Sequence, residues 1–408
     1  MSLGPLASHK IRPSFCAIIL FSTCMRLREE DGTRWRWRRL AKLSHEAHTL
    51  GNVMMAMVEH CMRMSLISLA APLSRNLELA TGALGSHIAS ALSAAGHEVT
   101  AIQRKDSDKP APAGLKVIKV DYQNKDELIS TFTGQDVVIS AVPSPQLTSE
   151  KIIIDACLAA SVKRFIPSEY TTMMESPLTI NLPIAKEKVL IRQYLNSVIQ
   201  DTSSPTAWTS LNTGAFFDMA LKYGILGPNP ITKKAVFHDG GDKEIAVSLL
   251  SDIATAIVKL LEPTNFEAAA NQPVYVCSAV VTERGLTKIV SEVLGVDFGM
   301  PEDVEVKKLI EESEERLKRG DMSAIIDYYY LMMYGEGYLG GEFMRWNWNE
   351  RLGLRIMDEG EVRGAVREVL GDSFDGSSGA AIRNIQGDDQ RCEIGALKGE
   401  KKKQKKKK

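Results

Sequence analysis

The sequence predicts an α/β protein: a doubly wound parallel sheet covered by helices on both faces, followed by a smaller C-terminal lobe. Three observations predict it. From about residue 74 to 370, short β-branched runs alternate with stretches of helical periodicity. The stretches between successive runs are long enough to be crossover helices, which parallel strands require. A pair of glycines, Gly82 and Gly85, stands where a strand hands over to the first long helix.

Taken in order, "RNLELA" (75–80) is expected to be the first strand and "GSHIASALSAAG" (85–96) the first helix. The runs "HEVTAI" (97–102), "LKVIKV" (115–120), "DVVISAV" (136–142), "VKRFIP" (162–167) and "AWTSLN" (207–212) read as the following strands. Between them, "NKDELISTF" (124–132) and "TSEKIIIDACLAAS" (148–161) carry apolar residues at helical spacing. Each strand–helix–strand unit then makes a right-handed crossover. Beyond about 214 the pattern loosens into a helix at 250–261, a strand at 273–278 and a charged helix at 302–318, assigned to the smaller lobe.

The two ends differ in texture. Residues 1–73 mix a basic, tryptophan-bearing patch ("RWRWRR", 34–39) with a methionine-rich segment, and are expected to form an atypical, poorly ordered extension. Residues 371–408 are poor in large apolar side chains and end in a lysine run, the composition of a disordered tail. That run leaves open a nuclear location for a protein otherwise expected in the cytoplasm.

Composition excludes several functions. The formal net charge is −1, but the last eleven residues hold eight lysines, leaving 42 basic against 50 acidic side chains in residues 1–397. A mildly acidic body argues against a specific nucleic-acid reader. The six cysteines are scattered, with no C-x-x-C pair and no histidine cluster, so neither a disulfide framework nor a metal site is signalled. The apolar run at 16–25 is too short to span a bilayer.

In "LATGALGSHI" (79–88), Gly82 and Gly85 occupy two positions of a G-x-x-G-x-x-G turn, and Leu79 stands where the first glycine belongs. Such glycines let backbone amides approach a pyrophosphate and let the helix pack closely on the sheet. Thr81, Gly82, Leu84 and Gly85 are therefore candidate cofactor-binding residues of a Rossmann-like NAD(P)-binding domain. At the end of the next strand, where an acidic residue would hold the ribose hydroxyls of NAD, the chain offers Arg104 and Lys105. A guanidinium there pairs with a 2′-phosphate, which favours NADP(H). The bulk of Leu79 sets against this a third outcome, no dinucleotide binding at all.

The pieces "ATGALGSHIASAL", "VTAIQR", "VDYQNKDELISTFTGQDVVISAVPS", "VKRFIPSEY", "LPIAKEKVLIRQYL" and "SLNTGAFFDMAL" follow in an order and spacing that resembles the NmrA-like and isoflavone-reductase-like family of atypical short-chain dehydrogenases. The likeness runs from about 75 to 370. It implies an NADPH-dependent oxidoreductase that transfers hydride to a small aromatic or conjugated carbonyl-type substrate. The alternative within the family is a non-catalytic NADP-binding redox sensor acting on a protein partner.

The Tyr-x-x-x-Lys pair of ordinary short-chain dehydrogenases is absent, since none of the ten tyrosines is followed by lysine four residues on. The resemblance implies instead a lysine early in the helix after the fifth strand; alignment of "VLIRQYL" selects Lys188 as catalytic, with Lys186 in reserve. Partial desolvation would favour its neutral amine and suit proton exchange. By the same likeness Pro143, Phe165 and Pro167 line the cofactor cleft, while Ser168 and Glu169 sit near the reacting centre. Glu169 serves equally well as a structural hydrogen-bond acceptor. Asn212, Phe216 and Phe217, after the sixth strand, are candidates for a substrate wall, or for core.

Overall fold

The computed structural model describes residues 82–105, 107, 114–142, 147–199 and 204–371, and the backbone of 15–20. Leu79, Thr81, Pro143, the "RWRWRR" patch and the lysine tail lie outside the described residues.

Seven parallel strands form the main sheet: β1 (Phe15–Leu20), β2 (Glu98–Arg104), β3 (Lys116–Val120), β4 (Val137–Ala141), β5 (Arg164–Ile166), β6 (Ala207–Asn212) and, at one edge, β11 (Gln272–Tyr275). Their order is β11-β6-β5-β4-β1-β2-β3, which reverses direction between β1 and β4. Such a switch point opens a crevice at the carboxyl ends of the strands. The doubly wound expectation holds.

The first strand is not where the sequence placed it. β1 comes from residues 15–20, inside the span expected to stand apart as an N-terminal extension, and pairs with β2 on one side and β4 on the other. A physical reason is at hand. A central parallel strand is buried on both faces and reads as a continuous apolar run. "FCAIIL" meets that requirement, whereas "RNLELA" carries Arg75, Asn76 and Glu78.

Helices α1 (Ala83–Ala94), α2 (Lys125–Phe132), α3 (Leu147–Ala159) and α4 (Lys186–Val198) follow the predicted helical stretches. Asn124 caps α2 by accepting from the Glu127 amide, satisfying one of the orphan first-turn donors. On one face of the sheet Leu128, Phe132, Ile153, Ile154, Phe165 and Leu195 form a core. On the other, Ile88, Ala89 and Leu92 of α1 meet Ile253, Ala254 and Ile257. Completely burying a side chain such as Phe132 contributes roughly 2–3 kcal/mol.

The rest of the chain builds two small three-stranded sheets. The first orders β12 (Ala279–Val281), β10 (Ile245–Ser248) and β7 (Ala215–Phe216); the second orders β13 (Glu302–Val304), β9 (Lys234–His238) and β8 (Pro228–Asn229). Around them pack α5 (Phe217–Tyr223), α8 (Glu283–Leu294), α9 (Val306–Lys318), α10 (Asp327–Tyr334) and α12 (Glu359–Leu370), while the short helix α11 (Asn349–Leu352) joins the core around α1.

Two details depart from expectation. Helix α6 (Leu250–Leu260), short helix α7 (Pro263–Ala268) and β11 leave the lobe and return to the main sheet, because the apolar face of α6 is matched by the uncovered face of α1. The charged helix begins late: residues 302–304 pair with β9 as a strand, and the Asp239 carboxylate then accepts from the Val306 amide to start α9.

Candidate functional site

The crevice lies where β4, β5 and β6 end. Ser168, two residues past the end of β5, begins its framework. Ser168 donates its hydroxyl to the Val142 carbonyl (2.6 Å) and its amide to Glu150 Oε1 (3.1 Å). Glu150, near the start of α3, accepts a second bond from the Ser140 hydroxyl of β4 (2.8 Å). This carboxyl is wholly enclosed, and burial pushes it up to about 7 against the opposing pull of the Ser168 amide, the Ser140 hydroxyl and the Lys188 charge.

Lys188 sits in the first turn of α4 and donates its ammonium to the backbone carbonyl of Glu169. It is half-buried, whereas Lys186 is exposed. Of the two lysines, the geometry brings Lys188 to the carboxyl edge of β5. The Glu169 side chain has another task. It is 3% exposed and receives Arg192 through Nε (3.1 Å) and Nη2, and Arg192 also donates to the Ser210 hydroxyl (3.1 Å) and to Glu175. The charge-assisted fork welds the loop after β5 to α4. Glu169 is thus used as a structural acceptor. Glu175 is pushed up to about 7 by burial and by the nearby Glu169 charge.

The other predicted residues divide. Phe165 is completely buried among Val138, Leu195 and Trp208, and Phe217 is completely buried in the lobe's core, so both rings pack rather than face an opening. Pro167 is buried beside Ser168, and Phe216 is half-buried against the core around α1. Asn212 ends β6 with no exposure, and neither of its amide atoms has a hydrogen-bond partner among the described residues. A buried amide in that state normally meets a ligand or water. Next to it, Gly214 has φ +65°, and a Cβ there would stand 2.0 Å from the Ala246 carbonyl oxygen, so no other residue fits.

On the switch-point side, α1 starts with Gly82 as its N-cap, no side-chain cap and no acidic residue in its first turn. Among the described residues no side chain accepts from the first-turn amides, an arrangement that suits an anion. Leu84 and Gly85 are buried, letting α1 lie close on the sheet. Arg104 ends β2 half-buried, while Lys105 is exposed and paired with Glu127 at 2.7 Å.

Sequence reading missed Glu150, Arg192 and Glu175. Two signals were there to find. Glu150 lies on the same helical stripe as Ile153, Ile154 and Cys157, all buried, and a carboxylate on an apolar stripe needs partners. Arg192 is four residues after Lys188, hence on the same face of α4. Among the described residues no cluster of three His, Cys, Asp or Glu side chains could hold a metal, and no helix is long and apolar enough to cross a membrane.

Comparison with known proteins agrees with this fold. The sequence profile of the NmrA-like family matches residues 79–312. This chain belongs to the NmrA-like family. Among curated proteins, the oxidoreductase aprR of Aspergillus flavus is 28% identical over 296 residues, spanning 70% of this chain and 96% of that protein. The isoflavone reductase homolog IRL of Zea mays is 30% identical over 189 residues, spanning 44% and 60%. Among solved structures, AtPrR2 with NADP+ and (+)pinoresinol matches with a TM-score of 0.55 at 20% identity, covering 70% of this chain and 96% of that one. At that identity the likeness speaks for the fold. The two curated relatives named here are thus an oxidoreductase and an isoflavone reductase homolog, in line with what the resemblance implied.

Proposed function

We propose that the protein is an NADPH-dependent reductase that transfers hydride to a small aromatic or conjugated carbonyl-type substrate. The observation that carries this reading is Lys188, a half-buried ammonium tied to the Glu169 carbonyl at the carboxyl edge of the sheet. Residues on the opposite side of the switch point fit the coenzyme. The uncapped first turn of α1 from Gly82 suits a pyrophosphate, and Arg104 suits a 2′-phosphate where an NAD site would need a carboxylate. Thr81, Pro143 and Pro167 complete the cleft in this reading, and Lys105, already neutralised by Glu127, is a secondary contact at most.

When bound, NADPH supplies the hydride. The chain's own residues handle charge and position. Lys188 Nζ holds a proton for the oxygen that gains negative charge. The Glu169 carbonyl aims that ammonium, and Arg192 fixes the Glu169 peptide by gripping its side chain. Glu150 pins the adjoining Ser168 amide from below. Asn212 offers a buried amide to the substrate and Phe216 a ring edge.

Fluorescence titration with NADPH and NADH tests the coenzyme. Wild type should prefer NADPH, and Arg104→Ala should weaken NADPH by about tenfold or more while leaving NADH little changed. Lys188→Ala should reduce turnover of aryl-conjugated carbonyls by about 100-fold or more at nearly unchanged NADPH affinity. Turnover as fast as wild type would remove Lys188 from the chemistry. Binding without any turnover in wild type would favour the redox-sensor alternative.

A further inference from the structure

A second cavity, of about 370 Å³, opens at the β11 edge of the main sheet, lined among others by Met173, Glu175, Tyr275, Arg345, Trp346 and Trp348. Its volume lies in the range of small-molecule sites, roughly 300–1,000 Å³. It is distinct from the lysine crevice. The ionic chain Glu175–Arg192–Glu169 lies between the two, with Lys188 on the far side.

The segment "MRWNW" (344–348) builds one wall. Asn347 bridges in parallel to Tyr275 and the Trp348 amide donates to the Tyr275 carbonyl (2.7 Å), so the segment continues the sheet edge and carries both tryptophans to the cavity. Trp346 is 39% exposed, and the Arg345 guanidinium lies 3.8 Å from its ring centre. A large ring left this open at the wall of a concave site is a stacking platform, and the guanidinium on it makes the ring an amphipathic surface. Tyr275 is 4% exposed and Met173 2%, which gives an apolar floor.

Polar character is balanced. The wall has one guanidinium, Arg345, and one carboxylate, Glu175, so nothing in it selects strongly for a net charge. Arg192 reaches Oε1 of Glu175, leaving Oε2 to accept a hydrogen bond from a ligand hydroxyl. On the same face of the sheet, the register partner of Tyr275 is Asn212, the buried amide without a partner among the described residues.

We propose that this cavity binds a neutral, planar aromatic molecule bearing a hydroxyl group, stacked on Trp346 with its hydroxyl donating to Glu175. None of the residues lining it is a candidate coenzyme contact, so the site can be tested apart from coenzyme binding.

Calorimetric titration of the full chain with three probes tests it: 2-naphthol, its methyl ether 2-methoxynaphthalene, and the saturated decahydro-2-naphthol. The expected result is saturable 2-naphthol binding with Kd below about 1 mM, and binding at least about fivefold weaker for each of the other two. Trp346→Ala should weaken 2-naphthol by about tenfold, and its exposure lets the fold survive the change. Glu175→Ala should weaken 2-naphthol by about fivefold while leaving the methyl ether unchanged. Absence of saturable 2-naphthol binding, or equal affinity in Trp346→Ala, overturns the proposal. So does displacement of 2-naphthol by saturating NADPH, which would put the probe in the coenzyme cleft. A chain that binds 2-naphthol but no NADPH keeps this site and removes the reductase reading.

Discussion

Two parts of the molecule bury a carboxylate against a nitrogen base, and they do it for different ends. In the lobe, His238 and Glu283 form a closed pair. The ring Nδ1 meets Glu283 Oε1 at 2.7 Å, and the His238 amide donates to Oε2 at 2.6 Å. Tyr330 and Tyr334 stack with the imidazole at 4.2 and 5.0 Å, and burial raises both phenols. With exposures of 5% and 0%, this pair has no opening through which to act on anything. At the sheet edge, Glu169 and Arg192 are nearly as enclosed, but their network runs out to Glu175, whose side chain is 40% exposed, and holds the carbonyl that aims Lys188. Burial of charge alone therefore does not mark a functional site; a path from the buried charge to a surface does.

That contrast can be broken by substitution. Glu283→Ala should be the most damaging change, costing about 4 kcal/mol, because it strands the His238 amide and ring and leaves a cavity. Chemical denaturation should show the full loss, while NADPH affinity of the remaining folded protein stays as in wild type; a selective loss of NADPH binding would refute a purely structural role.

Arg192→Ala should cost about 3 kcal/mol by leaving Glu169 buried and unpaired. Unlike the lobe variant, it should also lower turnover, because the peptide that orients Lys188 is released. Comparing kcat at matched folded fraction separates the two effects, and equal kcat would place Arg192 with the lobe pair.

Glu150→Gln should have the smallest effect and the opposite sign. The carboxyl is held at about 7 in the folded chain against an ordinary value of 4.5. The folded state thus holds the proton more tightly than the unfolded one, so stability falls as pH rises from the unfolded value through about 7, then levels. The amide variant escapes that loss. Well above pH 7 it should gain about 2 kcal/mol, after allowing for a weaker bond to the Ser168 amide, and well below the carboxylate range it should gain nothing. Thermal melting across pH reads the difference; a gain of equal size at all pH values would show that ionisation is not its source.

Much of the architecture was legible because period and length carry it. Runs such as "DVVISAV" and stretches such as "NKDELISTF" admit one reading each, and they became β4 and α2. Lys188 was singled out by the resemblance, through the "VLIRQYL" that follows it, since on periodicity alone it is one more lysine on an amphipathic helix. Glu150 and Arg192 were not, because they reach Ser168 and Glu169 from two separate helices brought together only by the sheet order. The same applies to Phe165 and Phe217. A phenylalanine at a strand end looks alike in sequence whether it faces a cleft or the core, and the packing of neighbouring helices decides. The central strand was misplaced for a related reason: adjacency to the glycine turn favoured residues 75–80, while burial on two faces favoured 15–20.

The origin of that strand shapes how the molecule assembles. In the sequence about 60 positions (21–82) lie between β1 and α1, whereas only 95–97 lie between α1 and β2. The keystone of the sheet is thus delivered from a distance, and β2 and β4 cannot be bridged until it arrives. Made before both of the strands it pairs with, this short hydrophobic stretch contributes contacts of long sequence separation, the kind that slow folding.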